Sequence, residues 1–182
     1  DEHEMLWNTV YEQFPKPDFA YIAHGVLPDQ KFSEESYENF CASNNVNSLS
    51  VISLLTGLAN RMERDTHGSI TVIASVAGDR GRQSNYVYGA QKAMISVFSE
   101  GLRCRLQNSN VNVTIIKPGF VDTPMTAEFS KSKLWASAEE VGDKIVAASA
   151  AGKAVVYVPR FWSVIMLVIR CIPDVIFKRL KL

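Results

Sequence analysis

Three side chains in this sequence could carry out chemistry together: Ser75, Tyr88 and Lys92. Residues at i and i+4 share a helix face, so a helix through Tyr88 and Lys92 would present a phenol and an ammonium to one site. A phenol can hand its proton to an oxygen that gains negative charge as a neighbouring carbon is attacked. Its ordinary pKa near 10 is too high for that exchange near neutrality, and a nearby cation lowers it by stabilising the phenolate. A serine hydroxyl beside them can donate a hydrogen bond to the same substrate oxygen. Each group also has a plain alternative. Tyr and Lys at this spacing form ordinary surface pairs, and a serine at a strand end commonly satisfies a local backbone group.

The surrounding elements decide between these alternatives. Residues 70–74, Ile-Thr-Val-Ile-Ala, are short, apolar and β-branched and predict a buried parallel strand. Ser75 then stands at its carboxyl end, where open α/β sheets bind ligands. Gly78, Asp79, Gly81 and Ser84 supply turn chemistry. A helix follows to about Gln107, with Ala90, Ala93, Met94, Val97, Phe98 and Leu102 as its apolar stripe. Upstream, helical spacing over the first 14 residues ends at Pro15 and Pro17. Residues 19–23 predict a strand buried on both faces, closed by His24-Gly25. A short helix over 34–41 and a longer one capped by Asn44 or Asn45 and running to Arg64 come next. Downstream, residues 111–116 and 154–158 predict strands. Between them Ser137 to Glu140 has the form of a capping box and opens a helix to about Ala150. This alternation predicts an α/β fold: a parallel sheet with helices on both faces.

Order and spacing carry a resemblance. Ser75, the thirteen-residue step to Tyr88, and Tyr88-Gly89-Ala90-Gln91-Lys92 resemble the short-chain dehydrogenase/reductase family. Val46-Asn47-Ser48-Leu49-Ser50 is similar to the family's asparagine segment. Residues 117–124, Lys-Pro-Gly-Phe-Val-Asp-Thr-Pro, are similar to the stretch after its next strand, and Ala23-His24-Gly25 stands where Asn-Ala-Gly is usual. The resemblance covers roughly residues 19 to 125. It implies a Rossmann-like doubly wound parallel sheet and NAD- or NADP-dependent hydride transfer between a secondary alcohol and a ketone. In that reading Tyr88 is the general acid/base and Ser75 fixes the substrate oxygen. Lys92 supports the phenol and holds the nicotinamide ribose, and Asn47 binds an ordered water behind the lysine. Cofactor contacts would come from Ala23, His24, Gly25, Tyr88, Lys92, Pro118, Gly119, Val121 and Thr123. Pro118-Gly119 would let the backbone pass close to a flat ring, and Thr123 would meet the nicotinamide amide.

One expected part is missing from the sequence. No glycine-rich dinucleotide turn of the form T-G-x-x-x-G-x-G or G-x-G-x-x-G occurs in it. The reading is therefore of the C-terminal two thirds of such a domain, over residues 1–158, belonging to a longer chain. A competing reading is a catalytically silent relative, used as a binding or scaffold subunit without a dinucleotide cradle. The residues that distinguish NAD from NADP follow a strand that this sequence does not contain.

Composition narrows the remaining possibilities. The chain has 182 residues, 47% hydrophobic and 21% charged, with 19 basic and 19 acidic side chains, so nothing in its charge points to nucleic acid. Cys41, Cys104 and Cys171 are odd in number and lack C-x-x-C spacing, and no His, Cys or carboxylate cluster has metal spacing. A reducing, cytoplasmic setting is expected, and the family resemblance implies a small carbonyl or alcohol substrate. Apolar residues on the helices after Asn47 and Tyr88 imply, through the family, a homodimer or homotetramer.

Residues 159–182 form an apolar and basic helical tail. Phe161 to Ile169 is far shorter than the roughly 20 residues a spanning helix needs. Arg170, Pro173 and Asp174 interrupt it before Lys178, Arg179 and Lys181. The tail is expected first to pack over the pocket or a subunit contact. Reversible contact with the inner face of a membrane comes second, with Trp162 and the aliphatics in the lipid boundary. It also weakly resembles the tail of reductases acting on polyprenyl-phosphate-linked keto sugars, and a lipid-linked substrate would suit either account.

Overall fold

The computed structural model describes residues 2–180. Its centre is a four-stranded parallel sheet of β1 (Phe19–Ile22), β2 (Gly68–Ile73), β3 (Val111–Pro118) and, after two short strands, β6 (Val155–Val158), in the order β1-β2-β3-β6. Tyr21 lies opposite Thr71, and Thr71 opposite Thr114, so the strands run in register toward one carboxyl edge. β2 and β3 are buried along nearly their whole length, because helices cover both faces.

On one face pack α4 (Ser50–Asp65) and α5 (Tyr86–Leu106). They contribute Val51, Leu55, Leu58, Met62, Ile95, Leu102 and Leu106 to a core shared with Ile70, Val72, Val113 and Ile115. α1 (Glu2–Gln13) lies on α4 through Trp7. On the other face α6 (Ala138–Ala150) brings Val141 and Ala148 against Ile116 and Val158. Ser137 caps α6, its hydroxyl accepting from the Glu140 amide at 3.1 Å, as the sequence predicts. Helices on both faces of a parallel sheet make the fold doubly wound.

Several boundaries differ from the sequence reading. The single helix expected over 34–41 is two, α2 (Gln30–Glu35) and α3 (Tyr37–Asn44). Ser36 is extended between them and its hydroxyl caps the Asn39 amide. No cap occurs at Asn44 or Asn45. The chain stays helical there, passing through a π-helical turn over Asn45–Leu49 directly into α4. β1 is not buried on both faces: Phe19 is 48% and Tyr21 43% exposed, because β1 is an edge strand. The stripe expected on α5 also turns outward at Ala90, Met94 and Val97. Leu102 is buried as expected, on a face it shares with Val87, Gln91, Ile95, Ser99 and Leu106.

Two short strands unseen in the sequence, β4 (Phe120–Asp122) and β5 (Trp135–Ser137), pair in parallel beyond the end of β3. The tail forms α7 (Phe161–Cys171) and a single turn, α8 (Asp174–Phe177). Of its basic residues, Lys181 lies outside the described residues. Trp162 does not face outward as an interfacial anchor would; it is buried with Val76 and Met166.

Candidate active site

The geometry begins at the carboxyl end of β2. Ser75 starts a 3-10 turn over Val76–Asp79, and its hydroxyl accepts from the Ala77 amide at 3.1 Å. Gly78 in that turn must be small, since a Cβ would come within 2.7 Å of the α5 backbone at Lys92 and Ala93. The turn is thereby pressed against the part of α5 that carries Tyr88 and Lys92. Ser75, Tyr88 and Lys92 are brought together.

Lys92 is 4% exposed, and its ammonium donates to the Ile73 carbonyl at 3.0 Å. Desolvation lowers its pKa to about 8. Its Nζ lies 5.6 Å from the centre of the Tyr88 ring. Tyr88 departs from the sequence expectation: burial raises the pKa of the phenol, and a hydrogen bond from Ser75 draws it only partly back. The phenol stays firmly protonated, in the state from which an acid acts.

Asn47 is fully buried within the π-helical turn. Its Oδ1 accepts from the Val26 amide at 2.8 Å, while Nδ2 donates to the Val26 carbonyl at 2.9 Å and to Gln91 Oε1 at 2.6 Å. Gln91 in turn donates to the Ser43 hydroxyl at 2.8 Å. π-turns inside helices occur frequently at functional sites. Here the turn puts Asn47 between the loop after β1 and the helix bearing Lys92. Its amide is engaged by protein groups, so it ties that loop in place. Gly25 lies in the loop, where a Cβ would stand 3.0 Å from Asn47 Oδ1 and 3.6 Å from Lys92 Nζ. Ala23 and His24 precede it, and the His24 ring meets the Ser50 hydroxyl at 2.7 Å. Burial and the Lys92 charge hold His24 below the usual histidine pKa.

Pro118, Gly119, Val121 and Thr123 lie farther along. Among the described residues they share no hydrogen bond with Ser75, Tyr88 or Lys92. Gly119 does approach a flat ring, but the ring is the Trp162 indole: a Cβ on Gly119 would fall 1.9 Å from Trp162 Nε1. Val121 in β4 and Thr123, which caps the 3-10 turn over Pro124–Thr126, are tied to that turn: Thr126 Oγ1 accepts from the Thr123 amide at 3.2 Å and donates to the Val121 carbonyl at 2.6 Å.

Two further groups flank the site and escaped the sequence reading. Asp79, at the end of the Ser75 turn, accepts from Lys117 at 2.7 Å and from the Tyr157 hydroxyl at 2.7 Å. This pins the turn to the ends of β3 and β6. Burial and the Asp79 carboxylate push the Tyr157 pKa up to about 12. Arg80, next in the chain, donates to the carbonyls of Ile169 at 2.5 Å and Ile172 at 2.6 Å, pairs with Asp174 at 2.6 Å, and stacks 3.7 Å from the Phe177 ring centre. The tail is thus clasped to the loop that follows Ser75. No sequence spacing marks these partners, which are 38 to 97 residues apart.

A strand-end serine beside a buried lysine and a protonated tyrosine on one helix can polarise and protonate a carbonyl oxygen. Known proteins are similar to this chain in sequence and fold. A model of the short chain dehydrogenase family matches residues 1–134. An uncharacterised oxidoreductase of Mycobacterium tuberculosis strain H37Rv is 34% identical over 161 residues, covering 88% of this chain and 65% of the relative. One from Streptomyces coelicolor is 32% identical over 127 residues, covering 70% and 49%. The chain therefore spans about two thirds or less of the length of these relatives. Among solved structures, a 3-ketoacyl-(acyl-carrier-protein) reductase from Brucella melitensis complexed with NADH superposes with a TM-score of 0.77 at 17% identity, covering 86% of this chain and 71% of that one. Levodione reductase superposes with a TM-score of 0.75 at 19% identity, covering 85% and 70%. These structures establish the fold. With the family model matched over most of its length, the chain belongs to the short chain dehydrogenase family.

Proposed function

We propose that the protein is an NAD(P)-dependent oxidoreductase that interconverts a secondary alcohol and a ketone, with Tyr88 as the general acid/base. The observation that carries this reading is the convergence of Ser75, Tyr88 and Lys92 at the carboxyl end of β2. In the reductive direction Ser75 and Tyr88 both address the substrate oxygen, and the Tyr88 proton passes to it as the alkoxide develops. Lys92, buried and one carbonyl from β2, sets the field around that phenol.

A nicotinamide cofactor, when bound, supplies or accepts the hydride. The residues fit one half of it. The Lys92 ammonium has donors left beyond the one given to Ile73, and Gly25 keeps the space between Asn47 and Lys92 free of a side chain. Pro118 and Gly119 are not counted among the cofactor's contacts, because the Trp162 indole already packs against Gly119.

The test is turnover. Tyr88→Phe removes only a hydroxyl and should lower kcat by about 10²- to 10⁴-fold with the fold intact. Turnover within a few fold of the unsubstituted protein would remove Tyr88 as the acid. A homodimer through α4 and α5 accompanies this reading, supported by exposed Leu49, Met94 and Val97 on those helices and on the turn before α4. A monomer in light scattering at micromolar concentration would count against it.

A further inference from the structure

The tail helix is apolar on two opposite sides, and the fold uses only one. Trp162, Met166 and, less completely, Ile165 and Ile169 face the body of the protein, against Val76 and Tyr157. On the other side Val164 is 63%, Leu167 62% and Val168 59% exposed, and Val175 and Ile176 continue that surface on α8. A helix that is apolar all round ordinarily has something on both sides.

The charge around this face says what the second cover is. Between Pro159 and Leu180 stand Arg160, Arg170, Lys178 and Arg179, all exposed, and one carboxylate, Asp174, which is paired with Arg80. Four cations less one anion leave an excess of three positive charges on this segment, in a chain whose 19 basic and 19 acidic residues balance as a whole. A second copy on this face would set the same positive excess against itself. An anionic surface would complement it. No helix among the described residues is long and apolar enough to cross a membrane. The eleven residues of α7, about 16 Å long at 1.5 Å per residue, suit lying in the interface plane.

We infer that the outer face of α7 and α8 docks on an anionic lipid surface, with Val164, Leu167, Val168, Val175 and Ile176 entering the headgroup boundary and the flanking basic residues meeting the phosphates. The Arg80 clasp fixes the orientation of this face. It holds the end of α7 and the start of α8 to the loop after Ser75, so the docked helix stays in one relation to the candidate active site. Trp162 takes no part, since it is occupied against Gly119 and Phe120.

The experiment is co-sedimentation of the purified chain with vesicles of phosphatidylcholine, with and without phosphatidylglycerol, at low and high salt. It reads binding alone and is independent of the proposed chemistry. Binding should require phosphatidylglycerol and weaken with salt. Each of Lys178→Gln and Arg179→Gln should reduce partitioning about fivefold. Leu167→Glu should reduce it by about tenfold or more, whereas Val146→Glu, at an exposed position on α6, should leave it unchanged. Circular dichroism confirms that each variant is folded. Absence of sedimentation with anionic vesicles at low salt would overturn the inference, as would equal binding to neutral vesicles. So would a concentration-dependent dimer that Leu167→Glu abolishes while lipid binding is absent, which would assign the face to a second copy.

Discussion

Lys117→Met should be among the most damaging single changes outside the candidate active site. The Asp79 and Lys117 side chains are 2% and 10% exposed, at 2.7 Å, and the Tyr157 hydroxyl takes the other carboxylate oxygen. Removing the ammonium leaves a buried carboxylate with one neutral donor, which costs about 3–5 kcal/mol. Against an ordinary domain stability of about 5–15 kcal/mol, that is a large fraction. Replacing Asp79 by Leu together with Lys117 by Met should recover most of the loss, because the Tyr157 hydroxyl keeps its hydrogen bond with Arg170. Tyr157→Phe added to the pair should change stability by no more than about 1.5 kcal/mol, the net worth of that one hydrogen bond. The control is the exposed pair of Lys131 with Asp122, 53% and 45% exposed, whose disruption should cost less than about 1 kcal/mol. Urea unfolding of the four variants measures the cycle. If Lys117→Met costs no more than Lys131→Met, or if the double variant is as unstable as the single one, the reasoning from burial is refuted.

Lys92 gives a prediction in pH. Its folded pKa of about 8 lies below the ordinary 10.5, so between these values the unfolded chain holds a proton that the folded one has lost. The contribution to stability must rise with pH across that window, by roughly 3 kcal/mol, and Lys92→Met should flatten it. In the proposed reduction, kcat should fall as pH rises through about 8, where Lys92 loses its charge, and a profile flat to pH 10 would contradict the role given to it. Tyr157 acts in the opposite sense: its pKa is raised to about 12, so the stability it adds is complete below pH 10 and is lost as pH climbs toward 12. Gly119→Ala drives a Cβ into the Trp162 indole and should destabilise by about 1–3 kcal/mol, less in a Trp162→Leu background. An unaffected melting midpoint would mean that the indole does not pack there.

The frame of the fold was legible because its signals are local. The β-branched run before Ser75, the capping box at Ser137 and the four-residue step from Tyr88 to Lys92 each state their own conformation. What the sequence hid depends on distant partners. Asn44 and Asn45 looked like a cap, yet burial of Asn47 between Val26 and Gln91 keeps the chain helical through a π-turn. Phe19 and Tyr21 read as doubly buried, and they are exposed because β1 stands at the edge of the described sheet. Lys92 was expected to lower the Tyr88 pKa, but burial of the phenol raises it and only the hydrogen bond from Ser75 draws it back. Gly119 was read as the neighbour of a flat cofactor ring, and in the fold the ring beside it is the chain's own Trp162. The Asp79 cluster and the Arg80 clasp join segments with no common spacing, so only the folded chain shows them.

The central claim is that Tyr88 delivers a proton to a carbonyl oxygen while hydride moves from a nicotinamide. The most direct measurement follows deuterium from NAD(P)H labelled at the C4 position of the nicotinamide into a panel of ketones, comparing the protein with its Tyr88→Phe variant. The account predicts deuterium on the carbinol carbon of the product, on one face only, with the variant bound to cofactor but about 10²- to 10⁴-fold slower. Label transfer at an unchanged rate in Tyr88→Phe would contradict the account. So would the absence of label transfer by the unsubstituted protein when cofactor and ketone are both demonstrably bound.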